Sequence, residues 1–353
     1  MKRKLFLTSA IALLSILLLA IGFLAAITVT DYIPNEIEDI GVANNPQRIV
    51  DHQQPFNVIT FNIGYGGMDR GQDFFMDGGK MSRSRSEAQT RANLTAVTSL
   101  LIEAKSDFYL LQEIDTNSSR SHYMNQAAVI SQALPDYSTV FAYNYKVLWV
   151  PVPVLNPMGV VNSGLLTLST YNSTSNRRFD LPGKESWPIQ QLDLDRAFIE
   201  SRYPVDNGKE LVLINLHLSA FDKGGYIRKQ QLDYLSNYLV QEQAKGSYII
   251  VGGDWNHSLP GTNTDDFPAI QEWPEWLADM PESFQPEGFQ WGVDKNVPTV
   301  RTADIPYAEG VNFRAVIDGF LVSSNVGVMS VHTADFHYEN SDHNPVEARF
   351  YLK

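Results

Sequence analysis

Polar side chains recur at the ends of short apolar runs in this chain. Asn62 follows Val58-Ile59-Thr60-Phe61, Gln112-Glu113 follows Tyr109-Leu110-Leu111, and His217 follows Val212-Leu213-Ile214-Asn215-Leu216. Asp254 and Asn256 follow Ile249-Ile250-Val251-Gly252-Gly253, Asp318 sits within Val316-Ile317-Asp318-Gly319-Phe320, and Asp342-His343 precedes the last run. One strand-end Asn or Glu is ordinarily a turn former or cap, and one His is ordinarily a satisfied surface or core residue. The whole set is a different matter, because strand ends on a shared edge can converge and loops held there carry function. The chain has no cysteine, which excludes disulfides, thiolate metal sites and cysteine nucleophiles. Any metal would be held by Asp, Glu, Asn or His, and a carboxylate and amide set suits a hard cation such as Mg²⁺.

The elements that must position these residues are readable in outline. Phe56-Asn57-Val58-Ile59-Thr60-Phe61 is β-like, and Asp107 to Leu111 reads as a buried strand. Residues 86–104 read as a helix with Leu94, Val97, Leu101 and Ile102 on one side. Residues 164–170 and 210–216 are further strands. Residues 225–244 form a helix with Ile227, Leu232, Leu235 and Leu239 spaced for one face. Residues 247–251 are a strand ending in Gly252-Gly253, and 315–323 and 346–352 close the domain. Many strands with few helices between them argue against a simple βαβ repeat and for a sheet-on-sheet core with helices outside.

Thr60-Phe61-Asn62, Leu111-Gln112-Glu113, Asn215-Leu216-His217, Gly253-Asp254-Trp255-Asn256, Ile317-Asp318 and Ser341-Asp342-His343 resemble, in order, the motifs of the endonuclease/exonuclease/phosphatase superfamily. The resemblance runs from about Pro55 to Lys353. It implies a four-layer α/β sandwich, two packed mixed sheets flanked by helices, and metal-dependent hydrolysis of phosphoester bonds. It further implies that Glu113 is a direct ligand of Mg²⁺ (or Mn²⁺ or Ca²⁺), with Asn62 and Asp342 completing or supporting the site. Asp254 would orient or deprotonate the attacking water, and Asn256 would bind a phosphate oxygen without repelling it. His217 and His343 would contact the phosphate, with Asp318 orienting His343. Arg196, in Asp195-Arg196-Ala197-Phe198, resembles a phosphate-contacting arginine; a solvated strand-end charge is the other reading.

The first residues set where such a domain would work. Residues 5–29 carry no charge and are long enough to span a bilayer. They follow Lys2-Arg3-Lys4, which the positive-inside rule keeps cytoplasmic. The expectation is a single-pass signal-anchor over residues 1–30 in the cell membrane with the rest of the chain extracytoplasmic. A cleaved signal peptide would instead give a secreted protein, and a buried core helix is the third reading. Residues 31–54 are polar and mixed and read as a linker with little fixed structure, leaving 55–353 as the catalytic domain. Without the three leading cations, 24 of the 27 basic residues face 40 acidic ones, a net charge of −16. That balance weakens a simple nucleic-acid-coating role but leaves room for a local basic cleft.

The substrate stays open between nucleic acid on one side and a lipid headgroup or small phosphate ester on the other. A non-catalytic phosphate- or lipid-binding module on the same fold is the competing class. No obligate protein partner is implied. Two stretches exceed what the motifs require. Residues 64–87 are long for a connection, and Arg83 and Arg85 within them could reach a substrate or lie on a mobile surface loop. Residues 146–162 are apolar with three prolines, which deny them a regular central strand. They are either packed on the core or exposed to a membrane or lipid. Lys223, in the Gly turn after His217, could add positive charge near the site.

Overall fold

The computed structural model describes residues 2–222 and 224–353, so Lys223 lies outside the described residues. The leading helix, α1 (Lys2–Val29), is apolar and almost wholly exposed along its length, and it is long enough to cross a membrane.

Two βαβ units build the centre of the domain. β3 (Phe56–Asn62) pairs in parallel with β4 (Phe108–Asp115), and β9 (Glu210–His217) pairs in parallel with β10 (Tyr248–Asp254). Parallel neighbours need a crossover, supplied by α2 (Glu87–Ala104) and α4 (Tyr226–Gln243). Ser86 caps α2 by accepting from the Gln89 amide at 3.1 Å, satisfying one of the free N–H groups of its first turn. Leu94, Val97 and Leu101 face the sheet as expected, but Ile102 points outward and is 45% exposed. It is one position too far round the helix to share the stripe. In α4, Leu232, Leu235 and Leu239 are buried.

Each unit lies within a seven-stranded sheet. The first sheet runs β1 (Ile37–Asp39), β7 (Ser175–Asp180), β8 (Ala197–Pro204), β9, β10, then the strands Asp318–Ser323 and Phe289–Gly292. The second runs Val326–Thr333, Val346–Leu352, β3, β4, β6 (Gly159–Ser169), β5 (Ser138–Val150) and β2 (Val42–Ala43). Among the described residues, the other strand pairs within these two sheets are antiparallel, so both sheets are mixed. Val58, Leu110, Leu213, Ile250, Phe320 and Phe350 fill the space between the sheets. The outer faces are covered by α2 with α3 (Gln126–Ala133) on one side and α4 on the other. This is the expected α/β sandwich of two mixed sheets flanked by helices.

The structure corrects the expectation for residues 31–54. β1 and β2 extend opposite sheets, and Val50 is fully buried and bridges Val205. Strands of two or three residues are too short to show alternation in sequence, and their fixed place comes from edge pairing.

Residues 64–87 are also ordered. The guanidinium of Arg301 donates to the carbonyls of Asp69 at 2.8 Å and Gln72 at 3.2 Å, and Asn93 donates to Gly66 O at 3.0 Å. Arg85 pairs with Asp69 within the loop at 2.6 Å, and Arg83 ties the loop to the 151–158 segment by donating to Pro157 O at 2.7 Å. Within 146–162, most residues continue the β5–β6 hairpin, and only 151–158 form its irregular tip. Val147, Val150, Met158 and Val161 are buried there while Val154 and Leu155 are exposed. The stretch therefore packs on the core and also presents an apolar surface.

Candidate active site

The carboxyl ends of the two parallel pairs meet at one edge of the sandwich. In register, Asn62 stands beside Gln112, and Asp254 stands beside both His217 and Asp318. Gly253 allows β9 and β10 to approach there, because a Cβ on it would lie 2.1 Å from Leu216 O. Ser341 Oγ donates to Asn62 O at 2.9 Å, which brings Asp342 and His343 to the same edge.

Asp254 is the hub. Its Oδ2 accepts from Asn62 Nδ2 at 3.0 Å and lies 3.4 Å from His217 Nε2 and 3.8 Å from His343 Nε2. Its Oδ1 accepts from the Asn256 amide at 2.9 Å. Burial, and then the charge of Asp318, raise the Asp254 carboxyl to about 7 against the opposing pull of His343. His343 Nδ1 donates to Asp318 Oδ2 at 2.8 Å. Burial disfavours its cation, but the charge and hydrogen bond of Asp318, with Asp254 and Asp342 behind, raise it to about 10. His217 goes the other way. Burial, and then the cations Arg196, His343 and Arg120, hold it well below 6.5, so at neutral pH one histidine is charged and the other is not.

Glu113 stands on a local break in β4, where the pairing to β6 shifts register between Leu111 and Ile114. Its φ is 56°, a left-handed conformation that costs of order 1 kcal/mol for such a residue and tends to mark functional positions. Tyr65 and Asn256, nearby, also have positive φ. Asn62 Nδ2 is 3.3 Å from Glu113 Oε1. Burial raises the Glu113 carboxyl, Arg120 opposes, and Asp342 adds to the rise. Glu113 and Asp342, with Arg196 and His217, line a cavity of about 410 Å³. The same cavity is lined by apolar side chains of one cluster, Phe74, Phe75, Met158, Leu192 and Leu194, with Glu185, Gln190 and Asp193 between them.

The model of the Endonuclease/Exonuclease/phosphatase family matches residues 59–343. The chain belongs to that family. It is similar to an endonuclease/exonuclease/phosphatase from Beutenbergia cavernae DSM 12333, at 15% identity and a TM-score of 0.59 over 85% of this chain and 72% of that one. It is similar to a family protein from Bacteroides vulgatus, at 18% identity and a TM-score of 0.52 over 85% of this chain and 100% of that one. It is also similar to the human Nocturnin catalytic domain with bound sulfate anion, at 15% identity and a TM-score of 0.53 over 89% of this chain and 98% of that one. At these identities the likeness is one of fold. No curated protein matches the chain.

Within this family member, Asn62, Glu113, Arg196, His217, Asp254, Asn256, Asp318, Asp342 and His343 all gather at the one edge. Three details go beyond the sequence reading. Asn62 turns its NH₂ to Glu113 and Asp254, and its oxygen accepts from the Gly64 amide at 3.0 Å. It therefore bridges two carboxylates, with its oxygen engaged by the Gly64 amide. Asn256 donates one side-chain N–H to Leu218 O at 2.7 Å. Gln112, beside Glu113, is not at the cleft; it donates to Asn215 Oδ1 at 2.9 Å and ties the two sheets through their buried layer.

Arg120 was not foreseen. It is buried over the Tyr65 ring, makes a two-pronged pair with Asp115 at 3.0 and 3.1 Å, and lies 3.6 Å from Glu113. Its segment, Ser118-Ser119-Arg120-Ser121, has no apolar periodicity to mark it.

The donor set fits a hard divalent cation. Glu113 and Asp342 are like charges at the same cavity wall, with Glu113 raised partly on that account, and anionic oxygen is what such a cation prefers. Asp254, Asp318 and His343 also lie close enough to hold an ion. Their spacing there is that of a hydrogen-bonded chain, since the nearest His343 nitrogen is already committed to Asp318.

Proposed function

We propose that this family member is a divalent-cation-dependent phosphoester hydrolase, tethered by α1 with its catalytic domain outside the cytoplasm. The observation that carries the hydrolase reading is the single edge at which a carboxylate pair, a charged His–Asp pair and a carboxyl poised near neutrality meet. Phosphoester hydrolysis needs an activated water and relief of the negative charge that builds on phosphorus oxygens. A cation held by Glu113 and Asp342, Mg²⁺ by first choice, would polarise the phosphoryl oxygens when bound.

The remaining work falls to the chain's own side chains. Asp254, raised to about 7, can take the proton of the attacking water near neutral pH, where a general base is most effective. Asn62 and the Asn256 amide fix the orientation of that carboxylate. His343, kept cationic by Asp318, has its Nε2 3.8 Å from Asp254 and would stabilise the charge that develops on a phosphoryl group bound there. Arg196 brings a second cation, and one of its guanidinium nitrogens is buried without a partner. Neutral His217 can share a hydrogen bond with the phosphoryl group without adding charge, as can the side-chain amide of Asn256.

The tether reading rests on the length and apolar character of α1 and on the basic residues at its start. Protease shaving of intact cells tests it: the domain after Thr30 should be digested, and its protection would overturn the orientation. A panel of bis- and mono-nitrophenyl phosphates, plasmid DNA and sphingomyelin, each with and without chelator, tests the reaction class. Chelator-sensitive turnover of at least one ester is expected, and turnover of none would overturn the hydrolase reading.

A further inference from the structure

We infer that the apolar lining of the active-site cavity receives the hydrocarbon part of an amphiphilic phosphoester drawn from the membrane surface to which α1 leads; this rests on the hydrolase and tether readings above. A cavity of about 410 Å³ is of the size that takes a small organic molecule, and a phosphate group needs only its polar lining. Tyr145, Val150, Met158, Leu192 and Leu194 line the cavity and belong to one apolar cluster, with the polar Glu185, Gln190 and Asp193 beside them. Hydrocarbon is the chemistry that such a wall recognises.

The same wall is joined to the membrane helix. The turn Gln190–Leu192 borders the cavity, and Gln191 donates to Asp31 at 2.9 Å, two residues beyond the end of α1. Trp187 Nε1 donates to Thr28 Oγ1 at 3.0 Å, and Ile27 is buried at this contact end of the helix. Tyr32 packs edge-on to Tyr143 of β5, the strand that runs on into the hairpin tip. The outlet of the span and the wall of the cavity are thus one structure.

Exposed apolar residues gather on these two segments. Trp187 is 58% and Ile189 55% exposed beside the end of α1, and Val154 and Leu155 at the hairpin tip are 83% and 99% exposed. Ile189 and Val152 also line the cavity, so its rim is continuous with the apolar surface. Tryptophans and aliphatic side chains of this kind favour the membrane–water interface. A bilayer amphiphile is the occupant that satisfies the span, the rim and the chamber together.

The test uses the full chain in detergent with Mg²⁺ and a series of alkyl 4-nitrophenyl phosphates from methyl to octyl. Calorimetry with methyl and octyl phosphate is run beside it. kcat/KM should climb with chain length, by up to about fourfold per buried methylene, and octyl phosphate should bind more tightly than methyl phosphate. Leu192→Gln, and separately the exposed-site variant Ile189→Gln, should bring the octyl-to-methyl ratio towards one. Hydrolysis that is flat or falling with chain length would overturn the chamber while leaving the hydrolase reading intact. Absence of hydrolysis across the series would overturn the hydrolase reading, and equal binding of the two alkyl phosphates would then overturn the chamber as well. With the full chain in phosphatidylcholine proteoliposomes, the octyl-to-methyl ratio of kcat/KM should exceed that of the same chain in detergent; an equal ratio would overturn the membrane source and leave a free amphiphile.

Discussion

Replacing Asp318 with asparagine should silence the site without disturbing its packing. Asp318 Oδ2 lies 2.8 Å from His343 Nδ1, both side chains are buried, and asparagine keeps the acceptor and nearly the same volume. What is lost is charge. The rise of His343 from 6.5 to about 10 corresponds to roughly 5 kcal/mol in favour of the imidazolium, at about 1.36 kcal/mol per pH unit. Asp318 leads the contributions that raise it, and burial works against them. Without Asp318 the ring should therefore titrate at or below its ordinary value and be largely neutral at pH 8. Losing one fixed cationic partner of the transition state costs about 2.7–4 kcal/mol, or roughly 10²–10³ in rate. The assay is kcat/KM for bis(4-nitrophenyl) phosphate from pH 5.5 to 9.5 with Mg²⁺ present, alongside imidazole ¹⁵N shifts for His343. The variant should be slower by that factor at pH 8. Its acidic limb should move to lower pH, because the charge of Asp318 raises Asp254 by more than that of His343 lowers it, and both are lost in the variant. An Asp318→Asn protein with a neutral His343 and parental kcat/KM at pH 8 would refute the role given to the histidine's charge. A His343 still protonated in the variant would refute the role given to Asp318.

Glu113→Gln should lose most turnover, by roughly 10²–10³, with no fall in melting temperature. Burial and Asp342 already penalise the Glu113 charge in the fold, so a variant that unfolds would contradict this reading. Gly253→Ala should destabilise by about 3 kcal/mol or more, measured by urea denaturation, because its Cβ would meet Leu216 O at 2.1 Å. His257 should make the domain acid-sensitive. Burial holds it down at about 4 against 6.5, so between those values the unfolded chain binds the extra proton. The contribution is full above pH 6.5 and is lost as pH falls towards 4, by roughly 3 kcal/mol. Denaturation of the parent and of His257→Asn, which keeps a short N–H donor towards Trp255 O, should diverge across that window; parallel curves would contradict it.

The site was legible wherever a polar residue closed a long apolar strand. β3, β4, β9 and β10 are central and buried on both faces, so their sequences are nearly unbroken apolar runs and their ends stand out. Gln112 and Asn215 interrupt such runs for a different reason: each satisfies the other in the layer between the sheets. Arg120 was invisible because a loop residue reaches its partners through tertiary placement alone. The order in residues 64–87 was hidden for a similar reason, since it depends on Arg301, more than 200 positions along the chain, clamping the carbonyls of Asp69 and Gln72. β1 and β2 were unreadable because edge strands of two or three residues carry no period. The apolar stretch 146–162 declared its composition but not its geometry, and only the hairpin separated its buried residues from its exposed tip.

The most direct single measurement is a divalent-cation titration of the metal-stripped full chain, read as the rate of nitrophenyl phosphoester hydrolysis and run in parallel on Glu113→Gln. In the parent, the rate should fall to background in excess chelator and return in a saturable way as Mg²⁺ or Mn²⁺ is added, while the variant stays near background throughout. A parent that keeps its full rate in excess chelator, or a Glu113→Gln protein that responds to the cation as the parent does, would contradict a cation site built on Glu113.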